Sequence, residues 1–248
     1  FYWDLPMSFL KKIINFIEEK APSGFVDYLT KIAYAFNRLH FIQLNRVLTC
    51  SKEKPLILAI ETVSICNARC IFCAYPTMRR AKEVMSLDIF EKITREYSQM
   101  GGGALSLTPV MGDPLIDPHF VERYKILEKF ENINQISFTT NGIACSRFSD
   151  EELSYLLKKS FLIQFSIGGL NRDTYLKLYK VDKLDDVLKS VHRMIRLRKE
   201  TVNKTHIVLA FRTDNPRFES DYAGELEKFK QEGVMVSHLS SYNNYAGE

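Results

Sequence analysis

The sequence lacks long apolar segments. Nowhere in its 248 residues do about 18 uncharged apolar residues follow one another, the length that a membrane-spanning helix needs. The opening residues FYWDLPMSFLKK also lack a basic region followed by a signal-like apolar stretch. These two absences predict a cytoplasmic protein without a transmembrane segment.

A large excess of one charge is also missing. Lys and Arg total 34 against 30 Asp and Glu, which gives a formal net charge of +4. This is too small for a nucleic-acid-binding tail, so we expect no nucleic-acid partner. The composition, with 46% hydrophobic and 26% charged residues, is that of a folded protein and excludes a disordered or collagen-like chain.

Cysteine is infrequent and odd in number. The five cysteines are Cys50, Cys66, Cys70, Cys73 and Cys145. An odd count in a chain without an export signal argues against a disulfide framework. Three of the five are crowded between Cys66 and Cys73, and chance is a poor explanation for that spacing.

The first 50 residues differ from the rest of the chain in their hydrophobic pattern. Residues 5–20 and 24–49 show the apolar spacing of helices. We predict an N-terminal helical extension over residues 1–50, with two helices that pack before the main domain. A membrane-surface helix, with Lys11 and Lys12 facing lipid head groups, is the alternative.

From residue 51 onward, β-rich segments alternate with helical ones. Six segments have the composition of buried strands, namely residues 55–65, 104–110, 134–142, 160–169, 205–213 and 234–241. Helix start signals lie between them: Ser86 as an N-cap, Asp117 with Pro118 at the first helical position, and Ser149 with Glu152 as a capping box.

Strict alternation of strand and helix implies parallel strands joined by right-handed crossovers. We therefore predict for residues 51–248 an α/β fold, a six-stranded (βα)6 partial TIM barrel with one open side. An open doubly wound sheet is the second choice. In either fold the chemistry belongs at the C-terminal ends of the strands.

The cysteine triplet directly follows the first predicted strand, at that end of the fold. A structural zinc takes four closed ligands, and neither Cys50 nor any histidine stands at a suitable spacing for a fourth. A cubane iron–sulfur cluster usually takes four cysteines, and holding it with three leaves one iron open to a small molecule. Two alternatives stay open: a zinc-stabilised binding or scaffold protein, and a simple iron–sulfur electron carrier.

The pattern CxxxCxxC, with aromatic Phe72 before the last cysteine, resembles the radical S-adenosylmethionine (SAM) superfamily. Four further segments resemble that family's motifs in order: residues 81–93 its Met-Ser segment, Met111–Leu115 its GGEPL, Thr139–Gly142 its TNG, and Ser166–Gly169 its SxDG. The similarity covers residues 55–245 and implies the six-stranded partial barrel.

The resemblance implies that Cys66, Cys70 and Cys73 hold a 4Fe-4S cluster whose open iron binds SAM. One electron, from a donor such as flavodoxin or ferredoxin, would cleave SAM to a 5'-deoxyadenosyl radical that abstracts hydrogen from a substrate. The implied SAM contacts are Phe72 near the adenine, Gly112 and Asp113 at the ammonium, Thr140, Asn141 and Ser166 along the ribose and methionyl end, and Arg212 and Lys180 as charges.

Three segments depart from the family pattern. Met111 and Asp113 replace the first glycine and the glutamate of the GGE motif, so the ammonium contact is expected to shift toward backbone. Gly168 replaces the strand-four aspartate and removes one polar ligand. Lys180 stands where many relatives have an arginine, and an ammonium lacks the bidentate fork of a guanidinium.

The motifs do not fix the substrate. The chain most resembles members that carry a further cysteine-rich SPASM or twitch domain, which implies peptide maturation or alcohol oxidation in sugar or aminocyclitol pathways. We therefore expect a peptide or small-molecule substrate. We also expect the polypeptide to continue past Glu248 toward auxiliary iron–sulfur clusters. Cys145 is interpreted as a spare buried thiol, with a substrate-side hydrogen donor or auxiliary ligand as the alternative.

Overall fold

Six parallel strands form one sheet in the computed structural model, which describes residues 55–213 and 215–239. The strands are β1 (Ile57–Ala59), β2 (Ala104–Ser106), β3 (Gln135–Thr140), β4 (Leu162–Ile167), β5 (His206–Arg212) and β6 (Met235–Leu239). Each pairs with the next in chain order. A doubly wound sheet would reverse its order at a switch point, so this order confirms the predicted partial barrel.

Helices connect the strands of the described residues. They are α1 (Leu87–Gln99), α2 (Phe120–Leu127), α3 (Asp150–Lys159), α4 (Arg172–Tyr179), α5 (Leu184–Glu200), α6 (Phe218–Asp221) and α7 (Ala223–Gln231). Three short 3-10 helices span Tyr75–Thr77, Pro114–Ile116 and Ile143–Arg147. Two helices follow β4 and two follow β5, so the predicted strict alternation is wrong in that half of the sheet. Within the described residues, no helix has both the length and the apolar character needed to cross a membrane.

Two of the three predicted helix starts are confirmed. Ser86 caps α1, and its hydroxyl accepts from Ile89 N at 3.3 Å. Ser149 opens α3 with a complete capping box, in which Glu152 N donates to the serine hydroxyl and Ser149 N donates to the glutamate carboxylate. These contacts satisfy amides that a helix start otherwise leaves without partners.

The predicted start at Asp117 and Pro118 is wrong, because α2 begins at Phe120. Asp117 instead closes the preceding 3-10 helix, and its carboxylate accepts from Arg123 Nε at 2.6 Å. Both side chains of this ion pair are fully buried. The same carboxylate accepts from His119 N at 2.9 Å, so Asp117 forms a turn ahead of α2, and α2 itself has no side-chain cap.

The sheet has two different faces. One face packs Leu105, Phe138, Phe165 and Leu209 into the hydrophobic core. The alternate side chains point the other way and include five half-buried polar groups, namely Ser106, Ser137, Thr139, Gln164 and Ser166, together with the apolar Leu162, Val208 and Ala210. Packed barrel interiors are filled by branched apolar residues, so the polar groups distinguish this second face from a packed interior. Predictions on the N-terminal extension, on Cys50 and on residues 240–248 lie outside the described residues.

Candidate functional site

The cysteine loop leaves the sheet beyond β1, at the carboxyl ends of the strands. Val63 forms an isolated antiparallel bridge with Val84, so the segment that resembles the Met-Ser motif closes back over the start of the loop. The three cysteines of the loop, Cys66, Cys70 and Cys73, are free and half-buried. The predicted position of the triplet at the active end of the sheet is therefore where the structure has it.

The last turn of α4 is the platform on which the loop rests. Arg69 N and Ile71 N, the amides on either side of Cys70, donate to the carbonyls of Tyr179 and Leu178 at 3.1 and 2.9 Å. Carbonyls in the last turn of a helix have no partner within the helix, so the loop supplies donors that the helix end needs. Cys70 is thereby fixed to α4 from both sides.

Gly112 packs against the chain just before the first cysteine. Its φ is +141°, and a Cβ there would lie 2.4 Å from Val63 O. Only glycine fits this close backbone approach. The next amide, Asp113 N, donates to Ile65 O at 2.9 Å. The MGDPL segment and the cysteine loop are therefore held together through backbone atoms.

The Asp113 carboxylate is turned into the protein and is almost fully buried. It accepts from Asn141 N at 2.7 Å, from Leu115 N at 3.0 Å and from the Thr140 hydroxyl at 2.9 Å. Burial raises the pKa of Asp113 to about 6, although these hydrogen bonds act in the opposite direction. The carboxylate thus joins two of the predicted motifs, after β2 and after β3.

Asn141 continues this network to the first cysteine. Its amide nitrogen donates to Asn67 Oδ1 at 2.7 Å and lies 3.7 Å from Cys66 Sγ, while its Oδ1 accepts from Ile143 N at 2.9 Å. An unbroken path of hydrogen bonds therefore runs from Asp113 through Asn141 to the cysteine loop. The structure brings together three motifs that are separate in the sequence.

Tyr179 is a residue of the site that the sequence did not indicate. Its hydroxyl lies 2.8 Å from Ser166 Oγ, and its ring meets Phe72 edge-on with centroids 5.5 Å apart. A Cβ at Gly168 would lie 2.8 Å from this ring, so Tyr179 occupies the space beside the missing strand-four aspartate. The sequence held one signal for this residue: Tyr175 and Tyr179 stand at helical spacing, soon after the glycine that replaces the strand-four aspartate.

The two predicted cations lie in different surroundings. Arg212 ends β5 half-buried, with its guanidinium carbon 5.5 Å above the Phe72 ring. Within the described residues it forms no ion pair, so its charge is available to a ligand. Lys180 is exposed and caps α4 in a left-handed conformation, with φ of 57°.

Cys145 lies buried in the core, where burial raises the pKa of its thiol to about 12.

The chemistry of the three thiols fits an iron–sulfur cluster. Burial raises the pKa of Cys66 to about 12, and burial together with Cys66 and Cys73 raises that of Cys70. Such thiols need a nearby cation to become thiolates, which a metal cluster supplies. In the described part of the chain no three Cys, His, Asp or Glu side chains converge on the position of a single metal ion. A cubane takes each thiolate on a different iron, so its ligands need not converge on one point.

Comparison with protein families gives one match over most of the chain. The model of the Radical SAM superfamily matches residues 60–220. A GTP 3',8-cyclase of Desulforamulus reducens is 28% identical over 171 residues, 67% of this chain and 50% of that protein. One of Alkaliphilus oremlandii is 28% identical over 141 residues, 56% of this chain and 42% of that protein. The chain spans about half the length of these curated relatives.

Solved structures with the same fold include two peptide-bound or SAM-bound proteins. SuiB of Streptococcus suis, bound to the precursor peptide SuiA, aligns with a TM-score of 0.57 at 16% identity over 78% of this chain and 42% of that one. The protein anSMEcpe with bound AdoMet aligns with a TM-score of 0.54 at 21% identity, over 75% and 51%. Likeness at this level of identity concerns the fold.

Proposed function

The chain belongs to the radical SAM superfamily, and from this premise we propose that it is an enzyme that holds a 4Fe-4S cluster on Cys66, Cys70 and Cys73 and binds SAM beside it. When bound, the reduced cluster supplies the electron that cleaves SAM to methionine and a 5'-deoxyadenosyl radical, the species that takes hydrogen from the substrate. The residues of this chain hold the loop, orient SAM and keep water away.

The hydrogen-bond path from Asp113 to Cys66 is the observation that carries this proposal. Asp113, Thr140, Asn141 and Asn67 come from three separate segments of the chain, yet hydrogen bonds of their side chains and of the Asn141 amide form one network that ends at a cysteine sulfur. A buried network of this kind is costly unless each member is satisfied. We infer that it fixes the cysteine loop for binding a cluster.

Six of the eight predicted SAM contacts keep a role in this proposal. The Asp113 carboxylate and the Thr140 hydroxyl are already occupied by internal hydrogen bonds, so we assign the SAM ammonium to backbone carbonyl at Gly112. Arg212, which has no carboxylate partner among the described residues, is assigned to the SAM carboxylate. The remaining assignments are Phe72 at the adenine, Asn141 and Ser166 at the ribose and methionyl end, and Lys180 as a weaker charge.

We propose a polar substrate without several negative charges, a class that includes peptides and the hydroxyl groups of sugars or aminocyclitols. Ser106, Ser137, Thr139 and Gln164 supply neutral hydrogen-bonding groups on the second face of the sheet. In the six described strands, Arg212 is the one Lys or Arg. A triphosphate would need more positive charge than this face offers.

GTP is the second candidate substrate, because the curated relatives are named GTP 3',8-cyclase. An electron donor such as flavodoxin or ferredoxin, and auxiliary clusters outside residues 1–248, belong to either version of the proposal.

The test is SAM cleavage by the anaerobically reconstituted chain. With dithionite and SAM, we expect 5'-deoxyadenosine and methionine in equal amounts. The chain is then incubated with deuterated cell extract and, in parallel, with deuterated GTP. Deuterium that enters 5'-deoxyadenosine shows which of the two contains the substrate. Deuterium from GTP would overturn the proposed substrate class, and absence of 5'-deoxyadenosine under all conditions would overturn the proposed function.

A further inference from the structure

Tyr175 has a buried hydroxyl with no hydrogen-bond partner among the described residues. The side chain lies in α4 and is fully buried. Its ring stacks on that of Tyr179, with centroids 4.8 Å apart and planes 15° apart. A buried polar group without a partner calls for an explanation, and one explanation is an acceptor that arrives with a ligand.

The surroundings of Tyr175 point to the cysteine loop. The next turn of its helix, at Leu178 and Tyr179, holds the amides on both sides of Cys70. Burial raises the pKa of Tyr175, and the next contributions come from Cys70, Asp113 and Cys66. Tyr175 therefore lies one helical turn before the carbonyls that bind the Cys70 loop, stacked on the tyrosine that supplies one of them.

The neighbouring tyrosine does not compete for this role. The Tyr179 hydroxyl is already engaged with Ser166 at 2.8 Å. On the opposite side of the loop, the Asn141 amide lies 3.7 Å from Cys66 Sγ. Of the stacked pair, the Tyr175 hydroxyl is the one without a hydrogen-bond partner among the described residues.

We propose that Tyr175 is a positioning residue that donates its hydroxyl hydrogen bond to a sulfur of the cluster held by Cys66 and Cys70, and so raises the cluster's reduction potential. This inference rests on the proposed function. Reduction adds negative charge to the cluster sulfurs, so a hydrogen bond to them is stronger in the reduced state. Hydrogen bonds to cluster sulfurs are one of the determinants of iron–sulfur potentials.

The test compares Tyr175→Phe with Tyr155→Phe in the reconstituted chain, after iron content has been matched to wild type. Tyr155 is a second tyrosine whose hydroxyl is buried, but it lies beside the N-terminal ends of the strands, near Asn134, His206 and Glu128. In EPR-monitored redox titrations, Tyr175→Phe should have the more negative midpoint potential, by roughly the 59 mV of a tenfold change in a one-electron equilibrium. Tyr155→Phe should titrate like wild type.

A second substitution tests the same contact in the opposite direction. Replacing Tyr175 by 3-fluorotyrosine keeps the ring but makes the hydroxyl a stronger donor, so the potential should shift upward. This variant decides the matter if Tyr175→Phe fails to fold or to take up iron. A wild-type potential in the variants that hold a cluster overturns this inference alone. A wild-type chain that binds no 4Fe-4S cluster overturns the proposed function, and this inference with it.

Discussion

Replacing Asp113 by Asn should change how the stability of the fold depends on pH. The carboxylate accepts hydrogen bonds from three buried donors, on Leu115, Thr140 and Asn141. An asparagine side chain has one acceptor oxygen, so its NH2 group faces at least one of these donors. One buried donor left without an acceptor costs about 1–3 kcal/mol.

The substitution also removes an ionised group from the interior. Burial raises the pKa of Asp113 from 3.8 to about 6 in the folded chain. A difference of about two pKa units corresponds to about 3 kcal/mol between the two protonation states at neutral pH. Near pH 7 the substitution therefore removes the cost of burying an ionised carboxylate and adds the cost of one unpaired buried donor. The two changes are of similar size, so the variant should be about as stable as wild type.

The sign of the pH dependence follows from the raised pKa. The folded state binds the Asp113 proton more tightly than the unfolded state, so this contribution to stability is full below the unfolded pKa and is lost as pH rises through about 6. Between pH 5 and pH 7 the free energy of unfolding of wild type should fall by about 1 kcal/mol relative to Asp113→Asn. Urea denaturation of both iron-free chains at the two pH values measures this. Parallel pH profiles would refute the assignment of a raised pKa to Asp113.

Three further substitutions test the packing and charge of the site. Gly112→Ala places a Cβ 2.4 Å from a backbone oxygen, so it should lower the free energy of unfolding by about 3 kcal/mol, measured by urea denaturation; a near-neutral effect would contradict the close approach. Gly168→Ala should lower the free energy of unfolding by about 1–3 kcal/mol, because the new methyl group crowds Tyr179. In a double-mutant cycle with Tyr179→Ala the two effects should not add, and additive effects would mean that the two residues do not touch. Arg212→Gln should weaken SAM binding at least about tenfold, measured by calorimetry, because a hydrogen bond to a charged group is lost. Substitution of the exposed lysine, Lys180→Gln, should weaken SAM binding less. The reverse order of the two effects would refute the assignment of Arg212.

Local signals in the sequence were sufficient for the elements whose geometry is local. Ser86 and the Ser149–Glu152 pair form their predicted caps because a helix start needs acceptors within three residues, whatever the rest of the fold does. The parallel direction of the strands followed from the alternation of strands with helices, and the resemblance implied the order of the partial barrel. The position of the cysteine triplet followed from the strand that precedes it.

Long-range packing explains what the sequence could not predict. Asp117 has the residue type and spacing of an N-cap, but its buried partner Arg123 became visible only in the fold. The strands β1 and β2 are also shorter than their β-rich segments, because after Ile60 and Leu107, whose amides still bond to the next strand, the chain continues as loops toward the site. Composition cannot distinguish such a loop from a strand.

The missing strand-four aspartate is the clearest example at the site itself. Gly168 predicted the loss of one polar ligand, and the structure has the ring of Tyr179 in the adjacent space. That ring comes from a helix that begins three residues after Gly169, and its direction depends on the contacts of α4 with the cysteine loop. A sequence without an alignment carries no signal for such a compensation.

The cluster on the cysteine triplet is tested most directly by comparing Cys70→Ala with Cys145→Ala. Both variants are reconstituted anaerobically, checked for folding by circular dichroism, and measured for bound iron and for 5'-deoxyadenosine formed from SAM and dithionite. Cys70→Ala should lose the cluster, about four irons per chain, together with SAM cleavage, since the loop has no other thiol to replace it. Cys145→Ala should keep both. Wild-type amounts of 5'-deoxyadenosine from Cys70→Ala would contradict the account.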